Sequence, residues 1–189
     1  HCYEGGFLDP GQVLVNRARR AVRAAPLIVT GPGGYALTQE RFCTIDTERF
    51  LAAAGECAAF TGPAALTAGK ATLALYHGDP LAEDRYAAWA EQYRNSILRA
   101  HQQLLERTAT LALSCGEISV AIDCASEAVA AEPLRESAAL ALVSAVAAAG
   151  DRAGALRHYD SYRRILAAEL GLDPSPDATA LQARLLAGS

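Results

Sequence analysis

Five residues in one short stretch could do chemistry together: Asn16, Arg17, Arg19, Arg20 and Arg23. Four guanidinium groups and one amide suit a polyanion. Arginine donates through a fixed fork that matches phosphate oxygens and the edge of a guanine, and an amide can pair with an adenine. The same run also fits the solvated face of an ordinary helix, and composition does not separate the two readings. Charge distribution adds a second observation. Residues 1–38 hold those four arginines against Glu4 and Asp9, whereas the remainder holds 13 basic and 19 acidic residues. A small basic head precedes an acidic body.

Other groups that could carry chemistry are read more plainly. Gly62 and Gly69-Lys70 resemble a phosphate-binding loop only in outline. Six residues rather than four separate the glycines, Ala71 stands where a metal-binding hydroxyl belongs, and the stretch reads as helix. Gly31, Gly33 and Gly34 precede a strand-like run instead of a helix, so they serve a turn and not a dinucleotide. His1, His77, His101 and His158 are scattered, without an HExxH pair or carboxylates at ligand spacing, and His77 beside Asp79 reads as a loop feature. Tyr86, Trp89 and Tyr93 recur at helical spacing and read as core anchors. No serine or cysteine has an evident base partner. The expectation is a protein that is not an enzyme, with no catalytic, cofactor-binding or metal-binding residues and no cofactor.

The elements that must position the arginines follow from periodicity. Gln12 to Ala24 makes a short helix with Val13, Leu14, Ala18, Ala21 and Val22 apolar. After Pro26, Leu27-Ile28-Val29-Thr30, Gly31-Pro32-Gly33-Gly34 and Tyr35-Ala36-Leu37 give strand, turn and strand. A basic helix followed at once by a hairpin is how a winged helix-turn-helix ends, with the recognition helix in the major groove and the wing on the backbone beside it. Residues 1–11 lack periodicity and end in a Pro-Gly turn signal.

The rest reads as helix. The 51% hydrophobic content comes largely from Ala and Leu, with 6% aromatic, which favours thin helices approaching closely over a sandwich of branched and aromatic side chains. Asp46 or Thr47 caps a helix burying Phe50, Leu51, Ala54 and Cys57. Gly62-Pro63 opens another to about Tyr76, and a long helix from about Glu83 to Leu113 carries two apolar stripes, one of them with Leu98, Leu105, Ala109 and Ala112. Gly116-Glu117 with Ala121 is echoed, 34 residues later, by Gly150-Asp151 with Ala155. Two helices per 34 residues point to tetratricopeptide-like hairpins, each glycine ending one helix and its acidic neighbour beginning the next. After Asp173-Pro174-Ser175-Pro176, Asp177 is expected to cap a short last helix through Leu186.

Cys43, Cys57, Cys115 and Cys124 read as small core hydrophobes in a reducing cytosol; with Cys2 they make five and form no CxxC pair. No apolar run approaches the ~20 residues needed to span a bilayer, so a soluble cytoplasmic protein without membrane contact is expected. The absence of methionine makes the chain read as a piece of a longer protein or one trimmed at its start.

Four stretches carry a family resemblance. They are Ile45-Asp46 with Phe50; Leu75-Tyr76-His77-Gly78-Asp79-Pro80-Leu81; Glu132-Pro133-Leu134-Arg135-Glu136 with Gly150, Ala155-Leu156 and Tyr159; and Tyr162-Arg163-Arg164 with Ala167-Ala168-Glu169-Leu170-Gly171-Leu172-Asp173-Pro174. In order and spacing, residues 44–187 resemble the bacterial transcriptional activator domain of the Streptomyces antibiotic regulatory protein (SARP) family. Tyr76 stands where such proteins more often carry Trp, a change that still fills an aromatic pocket. Residues 13–37 resemble the end of the family's winged helix, best at Gly34-Tyr35 and Leu37, but the earlier helices and strands of that domain are missing. The resemblance implies a mostly α fold of tetratricopeptide-like hairpins behind a partial winged helix at residues 1–38. It implies a regulator of transcription in antibiotic biosynthesis, with DNA at the parent protein's winged helix through Asn16, Arg17, Arg19, Arg20 and Arg23. RNA polymerase, an effector, another protein or a second copy would meet the repeats. The alternative is a helical-repeat interaction scaffold with no DNA role.

Overall fold

The computed structural model describes residues 10–21, 28–37, 45–82 and 87–188; Arg23, Cys2, Cys43 and Tyr86 lie outside them. The chain divides into two units, His1–Ile45 and Asp46–Ser189.

Among its described residues the first unit holds one helix and one hairpin. Helix α1 spans Pro10–Ala21, two residues earlier than periodicity placed it. The Pro-Gly pair that looked like a turn instead starts the helix, where proline's missing N–H leaves nothing unpaired. Strands β1 (Ile28–Gly31) and β2 (Gly34–Leu37) pair antiparallel, with Ile28 opposite Leu37 and Gly31 opposite Gly34. Only Pro32 and Gly33 connect them. Gly34 follows at φ 128°, a backbone conformation that a β-carbon resists.

The second unit is helical throughout its described length: α2 (Asp46–Cys57), α3 (Gly62–Leu73), α4 (Ala88–Ser114), α5 (Ile118–Ala131), α6 (Glu136–Ala148), α7 (Arg152–Leu170) and α8 (Pro176–Ala187). Consecutive helices from α2 to α8 pack on one another, and α4 additionally meets α2 and α6. At 1.5 Å per residue α4 is ~40 Å long and serves as the spine. It begins at Ala88, later than the expected Glu83.

The 34-residue echo is a real structural repeat. Gly116 at φ 78° and Gly150 at φ 87° turn α4 into α5 and α6 into α7. Their acidic neighbours do different work, however. The Asp151 carboxylate accepts from the Gly154 N–H at 2.7 Å and caps α7, whereas the Glu117 side chain makes no cap. It reaches across to Lys70 at 2.7 Å instead. At the last helix Ser175, not Asp177, is the cap: its hydroxyl accepts from the Ala178 N–H.

The core is built of small side chains. Ala109, Ala125, Ala128, Ala138 and Ala155 surround Leu105, Leu142, Val143 and Tyr159. Each large member contributes about 1.5–3 kcal/mol by leaving water, and the alanines set how near the helices come. Two expected anchors are not in it. Trp89 is 69% exposed and Leu98 38% exposed. Both lie off the stripe of Ala90, Ile97, Leu104, Leu105 and Ala112 by which α4 packs on its neighbours. Tyr93 is half-buried, and its hydroxyl shares a hydrogen bond with Thr47 at 2.7 Å, tying α2 to α4. Cys57 and Cys124 are buried as expected, whereas Cys115 sits exposed in the Gly116 turn.

Helices α3 and α4 approach closely at Gly69. A β-carbon at Gly69 would stand 2.6 Å from the Thr108 Oγ1, which is buried without a hydrogen-bond partner. Replacing Gly69 by Ala gains about 1 kcal/mol of helix propensity, but the overpacking costs about 1–3 kcal/mol. Urea unfolding should show G69A destabilised, and G69A/T108A restored by more than the two single changes add up to.

Candidate functional site

In the first unit, α1 presents its polar residues in two ways. Arg19 donates from Nε to the Ile28 carbonyl at 3.0 Å and from Nη2 to the Thr30 hydroxyl at 2.9 Å. Its guanidinium also lies 5.8 Å from the centre of the Tyr35 ring. One arginine therefore pins the helix to both strands of the hairpin. A two-stranded ribbon is marginal by itself, so this clamp matters to the unit's geometry. Asn16, Arg17 and Arg20 are exposed, and Asn16 and Arg20 stand one turn apart on one face. The expected run thus splits into a positioning residue, Arg19, and three residues open to a partner, with Arg23 outside the described residues. Sequence spacing could not separate them, because Arg19's partners lie 9 and 11 residues away in another element.

In the helical unit, the loop after α3 seats an aromatic group. The Tyr76 ring stacks on His101 of α4 with centroids 3.7 Å apart and planes 10° from parallel. Phe50 of α2 tilts against both rings, 5.5 Å from Tyr76 and 6.1 Å from His101. Glu127 of α5 lies beside the imidazole, Nε2 to Oε1 at 3.5 Å. Burial holds His101 below its ordinary pKa and outweighs the opposing pull of Glu127. Burial also raises the Tyr76 phenol, with Asp79 and Glu127 adding to the shift. Tyr76 thus fills the aromatic place expected for it. Its partnership with His101 was not legible, since that histidine looked merely isolated. Arg94 then closes the loop by donating to the Pro80 carbonyl at 3.2 Å.

Two polar knots hold the repeats. Glu106 of α4 pairs with Arg135 at the α5–α6 connection and accepts from the Ser137 hydroxyl at 2.7 Å, while Gln102 donates to Glu106 and to the Ala128 carbonyl. Glu136 accepts from the Tyr162 hydroxyl at 3.1 Å and the Ser175 N–H at 3.0 Å. Its partial burial would raise its pKa, but these hydrogen bonds win and lower it. Burial and the same bond push Tyr162 up to about 12. This knot pins the approach to α8.

Among the described residues, no group of three or more His, Cys, Asp or Glu could hold a metal ion. The glycines that faintly resembled a phosphate loop are used otherwise: Gly62 opens α3, Gly69 packs within it, and Lys70 pairs with Glu117. No described helix is long and apolar enough to cross a membrane.

Known proteins bear on both units. The bacterial transcriptional activator domain family matches residues 45–186. The chain is 34% identical over 170 residues to the regulatory protein AfsR of Streptomyces griseus, and 33% over 171 residues to AfsR of Streptomyces coelicolor A3(2). Each alignment covers 88% of this chain but 17% of the relative, so the chain spans a small part of those proteins. In fold it is similar to Mycobacterium tuberculosis EmbR, solved in complex with a low-affinity phosphopeptide. The TM-score is 0.74 at 23% identity, over 97% of this chain and 52% of EmbR.

The aromatic group carries a pH dependence of known sign. Because His101 is held below the ordinary imidazole value of 6.5, the unfolded chain binds its proton first. The neutral ring's contribution is complete above that value and is lost as pH falls below it. Thermal unfolding from pH 7.5 to about 5 should therefore show a falling Tm, and His101→Phe, which keeps a ring on Tyr76, should flatten the part of that fall due to this group.

Proposed function

Because the chain belongs to the bacterial transcriptional activator domain family, in the form carried by Streptomyces antibiotic regulatory proteins, we propose that it is part of a transcriptional regulator whose two units divide the work. The helical unit is the protein-contacting part, meeting a second copy, an effector or RNA polymerase. The first unit is the end of a winged helix, α1 its recognition helix and the hairpin its wing, and it contributes to DNA binding by the parent protein. The observation that carries the DNA reading is the Arg19 clamp, which fixes α1 to the hairpin while Asn16, Arg17 and Arg20 stay exposed. An arginine helix that was only a solvated surface would need no such fixed orientation. Arg23, three residues after Arg20 in sequence, is proposed to contribute to the same recognition. AfsR is named a regulatory protein, which agrees with this assignment of class.

Salt dependence tests it. Fluorescence anisotropy of a mixed-sequence DNA duplex titrated with the full chain should give an affinity that falls with salt. Changing Arg17 and Arg20 together to Ala should reduce the slope's magnitude by about 2, at about 0.9 per phosphate contact. Arg19→Ala should weaken binding further than one lost contact, because the helix is no longer held to its wing. Absent binding, or a slope unmoved by the double change, leaves the scaffold reading, in which the helical repeats hold a protein partner and DNA plays no part.

A further inference from the structure

A cleft of about 400 Å³ lies between α2 and α4. Leu51 and Leu104 wall it. It exists because Gly55, Ala58 and Ala100 bring almost no side chain to the place where larger residues would fill the gap. A β-carbon built at Gly55 would meet nothing within 4 Å. The lining is therefore mostly apolar and already open, with Gln103 and Arg107 as its polar members and the dimensions of a small-molecule site.

One charged group stands in that lining. Arg107 of α4 donates from Nη2 to the Phe60 carbonyl at 2.9 Å and reaches the Ala58 carbonyl at 3.5 Å. These bonds fix the guanidinium at the cleft. Carbonyls orient a cation but do not neutralise it, and among the described residues no carboxylate pairs with Arg107. Among the described residues its Nε and Nη1 meet no acceptor. A guanidinium hydrogen-bonds more strongly to a charged acceptor such as a carboxylate than to a neutral one.

We propose that this cleft binds a small apolar monocarboxylate, its hydrocarbon body between α2 and α4 and its carboxylate on Arg107. The apolar walls select the body and the one fixed cation selects the head. A polar ligand would lose its hydration against Leu51 and Leu104, and a neutral hydrocarbon would leave Arg107 without a counter-charge. The site lies within the helical unit and is independent of the DNA reading. It would supply that unit with a chemical signal.

The test titrates the full chain with octanoate and, separately, with octanol, following backbone amide shifts by NMR. Octanoate should saturate shifts in α2 and α4, and octanol should bind at least about tenfold more weakly, the scale of one charge-assisted pair. Arg107→Gln should erase that difference. Gly55→Leu, where a side chain has room, should abolish binding of both. The proposal is overturned if octanoate gives no saturable shift at millimolar concentration, if the two probes bind alike, or if Gly55→Leu binds octanoate as the unsubstituted chain does. The comparison of the two probes needs no variant, so it decides the matter even where a substitution disturbs folding.

Discussion

The helical unit depends on how closely neighbours can approach α4. At Gly69 the backbone of α3 comes so near that the missing β-carbon would lie 2.6 Å from Thr108, and elsewhere along the spine alanine performs the same service. Small residues lower the apolar area available per side chain, so the unit gains its stability by packing many of them at short range instead of burying a few large groups. The buried hydroxyl of Thr108, left without a partner, is a cost tolerated for that approach. Where α2 meets α4 the same small residues leave the gap lined by Gly55, Ala58 and Ala100.

Two groups of larger side chains lie where segments meet. Tyr76, His101 and Phe50 join the loop after α3 to α2 and α4, and Glu136, Tyr162 and Ser175 join α6 and α7 to the approach of α8. Each group takes members from three segments. Removing one member leaves polar atoms without partners or a ring without its stack.

Arginine is nearly the chain's only cation, Lys70 being the one lysine, and the fold uses its planar fork in several ways. Arg19 ties a helix to a hairpin, Arg135 bridges α4 and the α5–α6 connection, and Arg107 is held by carbonyls at the mouth of a cleft. Counting basic residues therefore overstates the number available to a polyanion. In α1, Arg19 is engaged within its own unit, whereas Asn16, Arg17 and Arg20 are exposed.

By itself the sequence determined the helical class, the hairpin, the 34-residue repeat and the family, because these rest on local signals: apolar periodicity, turn glycines and short motifs at fixed spacing. Gly116 and Gly150 were legible because a left-handed backbone at a helix end leaves few other choices. Tertiary structure alone decided what each polar or aromatic residue does with its partners. Helical spacing put Trp89 and Leu98 among the anchors, yet the direction from which α2, α3 and α5 approach α4 leaves both exposed. Glu117 and Asp151 follow the same glycine in the repeat, but only Asp151 caps its helix, since Lys70 from α3 lies within reach of Glu117. Likewise nothing local marked His101 as Tyr76's partner, or Arg19 as a clamp. Those roles come from contacts between segments distant in sequence, which periodicity does not record.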